Sequence, residues 1–380
     1  MAPSRPTRLL IADDSAVMRS LLRSVVSSDP GLEVAGTAGD GNSALAAIET
    51  LHPDLVLLDV EMPVMDGLLT LKTLRTRGHK MPVIMCSSST QRGARVTIDA
   101  LAGGASDYVA KPAGQINREA ALHLLAHDLL PKIHALSGAA APSSSAFTAA
   151  NSPTLRPSQG ASLSRPQVYS SVPSVLVIGV STGGPAALDV LLPALPQDFP
   201  LPVLIVQHMP ELFTKLLAER LDQRCRLRVT EAIEGDMVRP GNIHVARGNW
   251  HMEVLAAARS GLFPTLHLNQ APLENHCRPA VDVLFRSAAR VYGSGVLAVV
   301  LTGMGSDGLG GCRIIRALGG AVLAQDQATS TIWGMPAAVA NAGLAQRVLP
   351  LQAIVGELLR LASRSNIASG PAREIRETVA

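Results

Sequence analysis

Residues 175–185 read Val-Leu-Val-Ile-Gly-Val-Ser-Thr-Gly-Gly-Pro. The apolar run predicts a buried strand, and the glycine pair followed by Pro185 predicts a sharp turn into a helix that runs to about Leu192. Ser181 then lies on the turn, with its hydroxyl exposed beside the backbone N–H groups of a helix N-terminus, which is the setting of a nucleophile. The alternative is a phosphate-binding loop that Ser181 merely caps, but the glycine spacings of such loops are missing.

Two later apolar runs end next to residues that can serve this serine. Residues 202–206 come shortly before His208, and residues 296–301 precede a glycine-rich segment that contains Asp307. Because parallel strands of a doubly wound sheet present their carboxyl ends at one edge, Ser181, His208 and Asp307 are predicted to meet there. Hydroxyl, general base and orienting carboxylate are the parts of a catalytic triad. Taken singly, a structural His208 and a helix-capping Asp307 are the simpler interpretations, and the triad is favoured only by the coincidence of all three.

A site with a serine nucleophile also needs backbone N–H groups beside the serine that can donate to an oxyanion. Glycine flanks Met304 on both sides, so the chain there can approach a substrate closely. The N–H groups of Thr182 and Met304 are the candidates for an oxyanion hole. The histidines of this half show no H-E-x-x-H spacing, which argues against zinc hydrolysis, and we expect the catalytic half to need no cofactor.

The first 136 residues have a different pattern, in which five short apolar runs alternate with five helix-like stretches. This alternation predicts an α/β fold with a parallel sheet covered by helices on both faces. The predicted strands are 8–12, 34–37, 55–58, 83–86 and 108–110. The predicted helices are 15–27, 41–51, 68–77, 92–102 and 116–136.

Polar residues follow the strands of this half as well. Asp13 and Asp14 follow the first strand, Asp59 the third, Ser87 the fourth and Lys111 the fifth. Three acids at one sheet edge repel each other unless a hard cation neutralises them, so the carboxylates predict a Mg²⁺ site. A carboxylate held beside the metal can accept a phosphoryl group, whose oxygens Ser87 and Lys111 would contact.

Composition divides the chain and excludes several classes of function. Residues 137–172 are rich in Ser, Ala and Pro without a hydrophobic period, which predicts a flexible linker between one domain at 1–136 and another at 173–365, with a tail at 366–380. The net charge of +3 without a basic block and the aromatic content of 3% argue against nucleic acid as a partner. No apolar run approaches the about 20 residues of a membrane span, and no signal peptide is recognisable, so we expect a cytoplasmic protein without membrane insertion.

The cysteines are also typical of a cytoplasmic protein. The four cysteines form no C-x-x-C pair, so we expect neither a disulfide framework nor a zinc knuckle, but reduced and buried thiols. They are Cys86, Cys225, Cys277 and Cys312.

The N-terminal motifs together resemble the response-regulator receiver domain. They are Asp-Asp-Ser at 13–15, Leu-Asp-Val-Glu-Met-Pro at 58–63, Met-Asp-Gly at 65–67 and Lys-Pro at 111–112. The resemblance spans residues 7 to about 130 and implies a flavodoxin-like receiver in which Asp59 is the phosphoacceptor. It also implies that Asp13 and Asp14 help to hold Mg²⁺ and that a histidine kinase is the phosphodonor. Tyr108 matches the switch aromatic of that family, with ordinary core packing as the alternative.

The C-terminal motifs resemble the CheB family of chemotaxis protein-glutamate methylesterases. They are Gly-Val-Ser-Thr-Gly-Gly-Pro at 179–185, Gln-His-Met-Pro at 207–210, Arg-Pro-Ala-Val-Asp-Val-Leu-Phe at 278–285 and Leu-Thr-Gly-Met-Gly-Ser-Asp-Gly at 301–308. The chain order Ser, His, Asp differs from that of the α/β-hydrolases, so that fold is not indicated. Two departures from the family stand out. Residues 246–249, Ala-Arg-Gly-Asn, replace the common Ala-Pro-Gly-Gly, and the linker is longer than in compact members.

This second resemblance implies a doubly wound, mostly parallel α/β catalytic domain with Ser181 as nucleophile, His208 as base and Asp307 as its partner. The implied substrates are γ-glutamyl methyl esters on methyl-accepting chemotaxis receptors, with glutamine deamidation by the same route. The implied phosphodonor is a CheA-type histidine kinase. We further expect the receiver to cover the Ser181 edge and to be displaced when Asp59 is phosphorylated.

Two other classes of protein compete with this interpretation. A non-enzymatic, phospho-regulated binding module with a Rossmann-like output domain explains the sheet and the glycine-rich turns, but leaves the convergence of Ser181, His208 and Asp307 accidental. A DNA-binding response regulator needs a basic recognition helix in its output domain, and none is evident.

Overall fold

The computed structural model describes residues 5–88, 90–112, 117–137, 172–259 and 262–368, with side chains described as far as residue 363. Within these ranges the chain forms two α/β units, each with its own parallel sheet. The predicted linker at 137–172 lies outside the described residues except at its two ends. The predicted tail lies outside them beyond residue 368.

As far as it is described, the N-terminal unit has five strands, each followed by a helix. The strands are β1 Thr7–Ala12, β2 Leu32–Ala38, β3 Leu55–Asp59, β4 Val83–Ser87 and β5 Asp107–Ala110. The helices are α1 Ala16–Ser27, α2 Gly41–Leu51, α3 Gly67–Thr76, α4 Gln91–Ala102 and α5 Arg118–Ser137. The sheet order is β2-β1-β3-β4-β5, and every pairing is parallel. Every residue of β3 is buried, as expected for a strand covered on both faces.

Side-chain caps determine where several of these helices begin. Ser15 accepts a hydrogen bond from the N–H of Met18 at 3.3 Å before α1, and Asp40 forms a capping box with Ser43 at α2. The side chain of Asp66 caps α3. Because each cap satisfies orphan backbone donors, the turns after β1 and β3 stay short and keep the acidic residues at the sheet edge.

The C-terminal unit contains a seven-stranded sheet and a separate antiparallel hairpin, within the described residues. The sheet strands are β6 Val175–Val180, β7 Val203–Gln207, β8 Arg228–Glu231, β9 Asn242–Val245, β12 Val296–Val300, β13 Ala321–Gln325 and β14 Arg347–Leu349. The hairpin strands are β10 His251–Leu255 and β11 Thr265–Asn269. The helices are α6 Gly184–Leu191, α7 Glu211–Asp222, α8 Val281–Tyr292, α9 Leu309–Ala317, α10 Met335–Asn341 and α11 Leu351–Ala368. Short 3-10 turns occupy Leu192–Ala194 and Gly293–Gly295.

The order of this larger sheet determines where a site can form. It is β14-β13-β12-β6-β7-β9-β8, with every pairing parallel. From β6 the chain proceeds to β7 on one side and later returns to β12 on the other. The carboxyl ends of β6 and β12 therefore flank the topological switch point, where doubly wound sheets bind their ligands.

The predicted fold class is confirmed in both halves. The bounds of β6 and α2 agree with the pattern. The remaining N-terminal elements differ by one or two residues at one or both ends; β2, for example, extends from Leu32 to Ala38. The apolar pattern of the sequence did not predict the strands between β7 and β12. Of these, β8 and β9 lie toward the edge of the sheet and carry mixed polar residues, so they form no continuous apolar run. The last helix, α11, continues beyond the predicted domain boundary at 365. No helix in the described ranges is both long and apolar enough to cross a membrane.

Val64, in the loop between β3 and α3, has an unfavourable backbone conformation. Its φ is 66°, and its side chain is 86% exposed, so no burial compensates for the left-handed conformation of a β-branched residue. We expect Val64→Asn to raise the free energy of unfolding of the receiver by about 1 kcal/mol, because asparagine tolerates this region. Chemical denaturation of the full chain, followed by circular dichroism, measures the change.

Val17→Asn is the matched control. Val17 is 69% exposed as well, but it lies in α1 and is not among the residues with positive φ. It should gain no stability. A gain of the same size in both variants would mean that the loss of an exposed valine, and not the backbone conformation, is responsible.

Candidate active site and receiver site

Ser181 follows β6 directly, and its backbone is held on several sides. Its N–H donates to the carbonyl of Thr302 at 3.0 Å, and its carbonyl accepts from Gln207 Nε2 at 2.9 Å and from the N–H of Gly184 at 2.8 Å. Gly303 packs so closely that a Cβ there would lie 2.8 Å from Ser181 Cβ. Glycine is therefore required beside the serine, and the serine has little freedom to shift.

His208 and Asp307 form a direct pair. Nε2 of His208 lies 2.8 Å from Oδ2 of Asp307, and both side chains are largely buried. The Asp307 carboxylate therefore fixes a proton on Nε2, and Nδ1 is the nitrogen left to accept another. This confirms that the strand ends bring the two residues together, as the sheet topology predicted.

Opposing effects set the pKa of His208. Burial lowers it, but the hydrogen bonds with the Asp307 carboxylate and with the thiol of Cys277 outweigh burial and raise the pKa to about 9. For Asp307, burial raises the pKa, but the imidazole of His208 and backbone N–H donors hold it below its usual value. The pair thus favours an imidazolium beside a carboxylate, so the neutral ring that can act as a general base is the less populated form near neutral pH.

The Asp307 carboxylate lies at the N-terminus of α8. The N–H groups of Val281 and Asp282 donate to it at 2.7 and 3.0 Å, and the N–H of Gly308 donates at 2.9 Å. Helix N-termini stabilise negative charge, so the carboxylate is compensated although it is buried.

Ser181 and His208 line one cavity of about 1140 Å³. No hydrogen bond joins the Ser181 hydroxyl to the imidazole among the described residues; in free enzymes such contacts are often long and tighten only with substrate. Met304 lines the same cavity, and Thr182 lies beside it. Neither the N–H of Thr182 nor that of Met304 has a hydrogen-bond partner within the described ranges, so both are available to a bound oxyanion.

The receiver reaches this site directly. The hydroxyl of Thr182, next to Ser181, donates to Oδ2 of Asp107 at 2.6 Å. The ring of Tyr108 stacks on that of Phe213 in α7, with centroids 4.5 Å apart and planes at 25°. Tyr108 is therefore buried against the other domain as well as within its own, so neither interpretation made from the sequence describes its packing completely.

Ion pairs extend the contact between the two domains. Arg220 in α7 lies 2.5 Å from the carboxylate of Asp99 in α4, and Arg95 lies 3.3 Å from Glu219. On the receiver side the cavity is bounded by Asp107, Tyr108 and α5 residues including Lys132. The receiver therefore forms one wall of the cavity that Ser181 lines.

The acidic cluster of the receiver forms as predicted. Asp13, Asp14 and Asp59 each offer a ligand atom, and these atoms lie within 4.8 Å of one another. Nζ of Lys111 lies 2.8 Å from Asp13 and 2.7 Å from Asp59. Burial raises the pKa of Asp59 to about 6, although Lys111 opposes the shift. Three converging carboxylate oxygens suit a hard cation such as Mg²⁺.

Ser87 is buried at the end of β4, next in the sheet to β3 and Asp59. Its hydroxyl donates to the carbonyl of Ser88 at 3.1 Å, and its own carbonyl accepts the N–H of Lys111 at 2.7 Å. Thus Ser87 and Lys111 are adjacent, but in this conformation the hydroxyl is bonded to its neighbour and not to Asp59.

Sequence reasoning missed three residues around His208 and Asp307. Gln207 holds the Ser181 carbonyl, and its position directly before His208 at a strand end was a usable signal. Asn275 donates to Asp307 at 2.8 Å, and Cys277 contacts His208. All four cysteines are free as expected, but Cys225 and Cys277 are only half-buried, which corrects the prediction of buried thiols.

The unusual loop at 246–249 packs next to the segment that follows His208. A Cβ on Gly248 would lie 2.2 Å from the backbone nitrogen of Glu211, so the chain approaches too closely for a side chain. Arg247 forms an ion pair with Glu211 and lies 5.6 Å from the centre of the Trp250 ring. The loop thus keeps a glycine at the close contact and adds an arginine that pairs with Glu211, which lines the cavity.

Comparison with known proteins identifies the family. A model described as CheB methylesterase matches residues 176–358, and one described as response regulator receiver domain matches residues 9–123. The protein-glutamate methylesterase/protein-glutamine glutaminase of Trichodesmium erythraeum is 45% identical over 361 residues, which cover 93% of this chain and 98% of that protein. The chain belongs to the CheB methylesterase family. The family and enzyme class predicted from the sequence are thereby confirmed.

Other members of the CheB family are similarly close. The enzyme of the same name from Nocardioides is 48% identical over 96% of this chain and 98% of its own length. Among solved structures, the CheB methylesterase catalytic domain of Thermotoga maritima is 42% identical with a TM-score of 0.48, covering 50% of this chain and all of that one.

We expect Asp307→Asn to lower the pKa of His208 from its value of about 9. The substitution removes the charge that stabilises the imidazolium, whereas burial, which favours the neutral ring, remains. An NMR titration of the His208 ring, assigned with His208→Gln, measures the shift. Asp282→Asn is the matched control, since this buried carboxylate makes no hydrogen bond to His208 among the described contacts. Equal shifts in the two variants would contradict direct pairing of His208 with Asp307.

Proposed function

We propose that this CheB-family chain is a phosphorylation-regulated serine esterase that hydrolyses glutamate γ-methyl esters on methyl-accepting chemotaxis receptors. The observation that carries the proposal is the pair of His208 and Asp307, 2.8 Å apart, in the cavity that Ser181 also lines. The names of the relatives supply the substrate class, since they are called protein-glutamate methylesterase/protein-glutamine glutaminase.

In this mechanism Oγ of Ser181 attacks the ester carbonyl carbon while Nδ1 of His208 accepts the hydroxyl proton. Asp307 keeps the ring oriented and stabilises its positive charge. The N–H groups of Thr182 and Met304 donate to the developing oxyanion. When the tetrahedral intermediate collapses, the ester bond breaks, and methanol leaves with the proton from His208.

Ser181 then carries the glutamyl acyl group. Water attacks it with His208 again as the base, the bond to Oγ breaks, and the proton returns to Ser181 as glutamate is released. Deamidation of glutamine follows the same steps with ammonia in place of methanol as the leaving group. The proposed steps of both reactions use side chains and backbone N–H groups of this domain.

For the receiver, Asp59 is the proposed phosphoacceptor, and a CheA-type histidine kinase is the proposed donor. Asp13, Asp14 and Asp59 would hold Mg²⁺, which neutralises the phosphoryl oxygens during transfer. Lys111 already contacts two of these acids, and with Ser87 it would contact the phosphoryl group once formed. Tyr108, as the switch aromatic, would respond through its packing on Phe213.

We further propose that the unphosphorylated receiver inhibits the esterase by covering the Ser181 edge. The support is the set of contacts between the domains, above all the hydrogen bond from Thr182 to Asp107 beside the nucleophile. A phosphoryl group on Asp59 changes the charge at the end of β3. Strand β5, which begins at Asp107, ends at Ala110, directly before Lys111 on the same edge.

Ser181→Ala should lower methanol release from methylated receptor membranes by at least about a thousandfold, because the acyl group then has no acceptor. Uptake of phosphate on Asp59 from a small phosphodonor with Mg²⁺ should be unchanged, and Asp59→Asn should abolish it. Ser363→Ala, an exposed serine on α11, is the control and should retain full esterase activity. Methanol release near the wild-type rate in Ser181→Ala would remove Ser181 from the mechanism.

Asp99→Ala should raise the basal esterase activity of the unphosphorylated full chain by roughly 1.4- to fivefold. The reason is that a surface ion pair contributes about 0.2–1 kcal/mol, and its loss shifts the domains toward the open arrangement by that amount. The methanol-release assay measures the change. Glu33→Ala, which removes an exposed acid on the far strand β2, should leave basal activity as it is. Lower activity in Asp99→Ala than in the wild type would refute inhibition through this contact.

A further inference from the structure

A tight turn at residues 274–277 lies against the catalytic pair. The N–H of Glu274 donates to the carbonyl of Cys277 at 3.1 Å, and the N–H of Cys277 donates back at 2.9 Å. The two central residues, Asn275 and His276, have φ of 51° and 62°. Two successive left-handed residues are typical of a type I′ turn, in which asparagine is among the favoured residues.

The side chain of Asn275 connects two buried acids. Its Nδ2 donates to Oδ1 of Asp307 at 2.8 Å and lies 3.1 Å from Oδ2 of Asp282. Among the described residues, Asn275 and His208 are the two side chains that hydrogen-bond to Asp307; its other partners are backbone N–H groups. The amide therefore lies where the two negative charges face each other.

The two acids need such a donor. Burial raises the pKa of Asp282, and the charge of Asp307 raises it further, so the carboxylates disfavour each other in this environment. Asp282 also accepts the N–H of Gly311 at 2.6 Å, which leaves its Oδ2 facing Asn275. A donor between them satisfies both oxygens and keeps Oδ2 of Asp307 directed at His208.

The turn is anchored so that it can hold this position. Glu274 forms a two-point ion pair with Arg286 on α8. Arg278, which follows the turn, donates to the side chain of Asn249 and to the carbonyls of Gln270 and Ala271. Asn275 is thus held from both sides by contacts that do not involve the catalytic pair.

We propose that Asn275 is a positioning residue of the esterase: it fixes the Asp307 carboxylate so that this carboxylate orients His208. The inference rests on the proposed function of the Ser181, His208 and Asp307 site and deepens it. Asn275 also lines the cavity, but in this proposal it acts through Asp307. Its removal therefore lowers the rate of the chemical step and leaves substrate binding unchanged.

Two substitutions of Asn275 separate the effect of its side-chain amide from the effect of the turn conformation. Asn275→Gly keeps the left-handed backbone but removes the donor, and Asn275→Asp keeps the size and tolerates this backbone but puts a third carboxylate between two others. In the full chain we expect kcat for methanol release to fall roughly tenfold in Asn275→Gly, because one hydrogen bond to a charged group is lost. In Asn275→Asp we expect kcat to fall further. KM should stay within about twofold of the wild-type value in Asn275→Gly.

The rate at which a fluorophosphonate labels Ser181 is the second readout, because it reports activation of the serine without any receptor. It should fall in the same order, Asn275→Asp below Asn275→Gly below wild type, while the thermal unfolding midpoint of Asn275→Gly stays near that of the wild type. Equal losses in the two variants, a wild-type labelling rate in Asn275→Gly, or a change in KM instead of kcat would overturn the positioning role.

The two readouts also separate this inference from the function on which it rests. A wild-type chain that takes the label but releases no methanol would refute the receptor-ester substrate, and the order of labelling rates would still decide the role of Asn275. A wild-type chain that neither takes the label nor releases methanol would overturn the serine mechanism, and the positioning role with it.

Discussion

The buried carboxylate of Asp307 is the group around which the catalytic unit is arranged. An uncompensated charge at this depth would cost several kcal/mol, so the fold must bring donors to it. It does so with the first two N–H groups of α8, the N–H of Gly308 and the ring of His208. Because these donors come from the residue after β7, from α8 and from the loop after β12, compensation of one charge fixes how three separate segments meet.

The same edge of the sheet must also remain open to a large substrate. The cavity beside Ser181 is bounded on one side by catalytic residues and on the other by β5 and α5 of the receiver. The described contacts between the domains include an aromatic stack, a hydrogen bond and partly exposed ion pairs, and buried apolar residues of both domains belong to one continuous cluster. Burial of this shared apolar surface stabilises the docked arrangement in addition to the polar contacts.

Much of the site followed from local sequence. An apolar run that ends in a polar residue predicts a parallel strand with chemistry at its carboxyl end, and this rule was enough to bring His208 and Asp307 together and to gather Asp13, Asp14 and Asp59. Asn275 could not be found in this way, since it lies 32 residues before Asp307 in a turn with no periodicity. The Thr182–Asp107 contact joins two domains across 75 residues, and no spacing rule predicts how two finished surfaces dock.

The hydrogen bond between Thr182 and Asp107 also has a thermodynamic consequence. Suppose that docking of the receiver and binding of a peptide in the Ser181 cavity exclude each other. Docking then weakens peptide binding by a certain free energy, and a bound peptide favours the undocked receiver by that same free energy. Linkage is reciprocal. If the undocked receiver favours phosphorylated Asp59, an array rich in methylated receptors would itself shift Asp59 toward its phosphorylated form. The substrate would then act as an effector of its own demethylation, without any dedicated allosteric pocket.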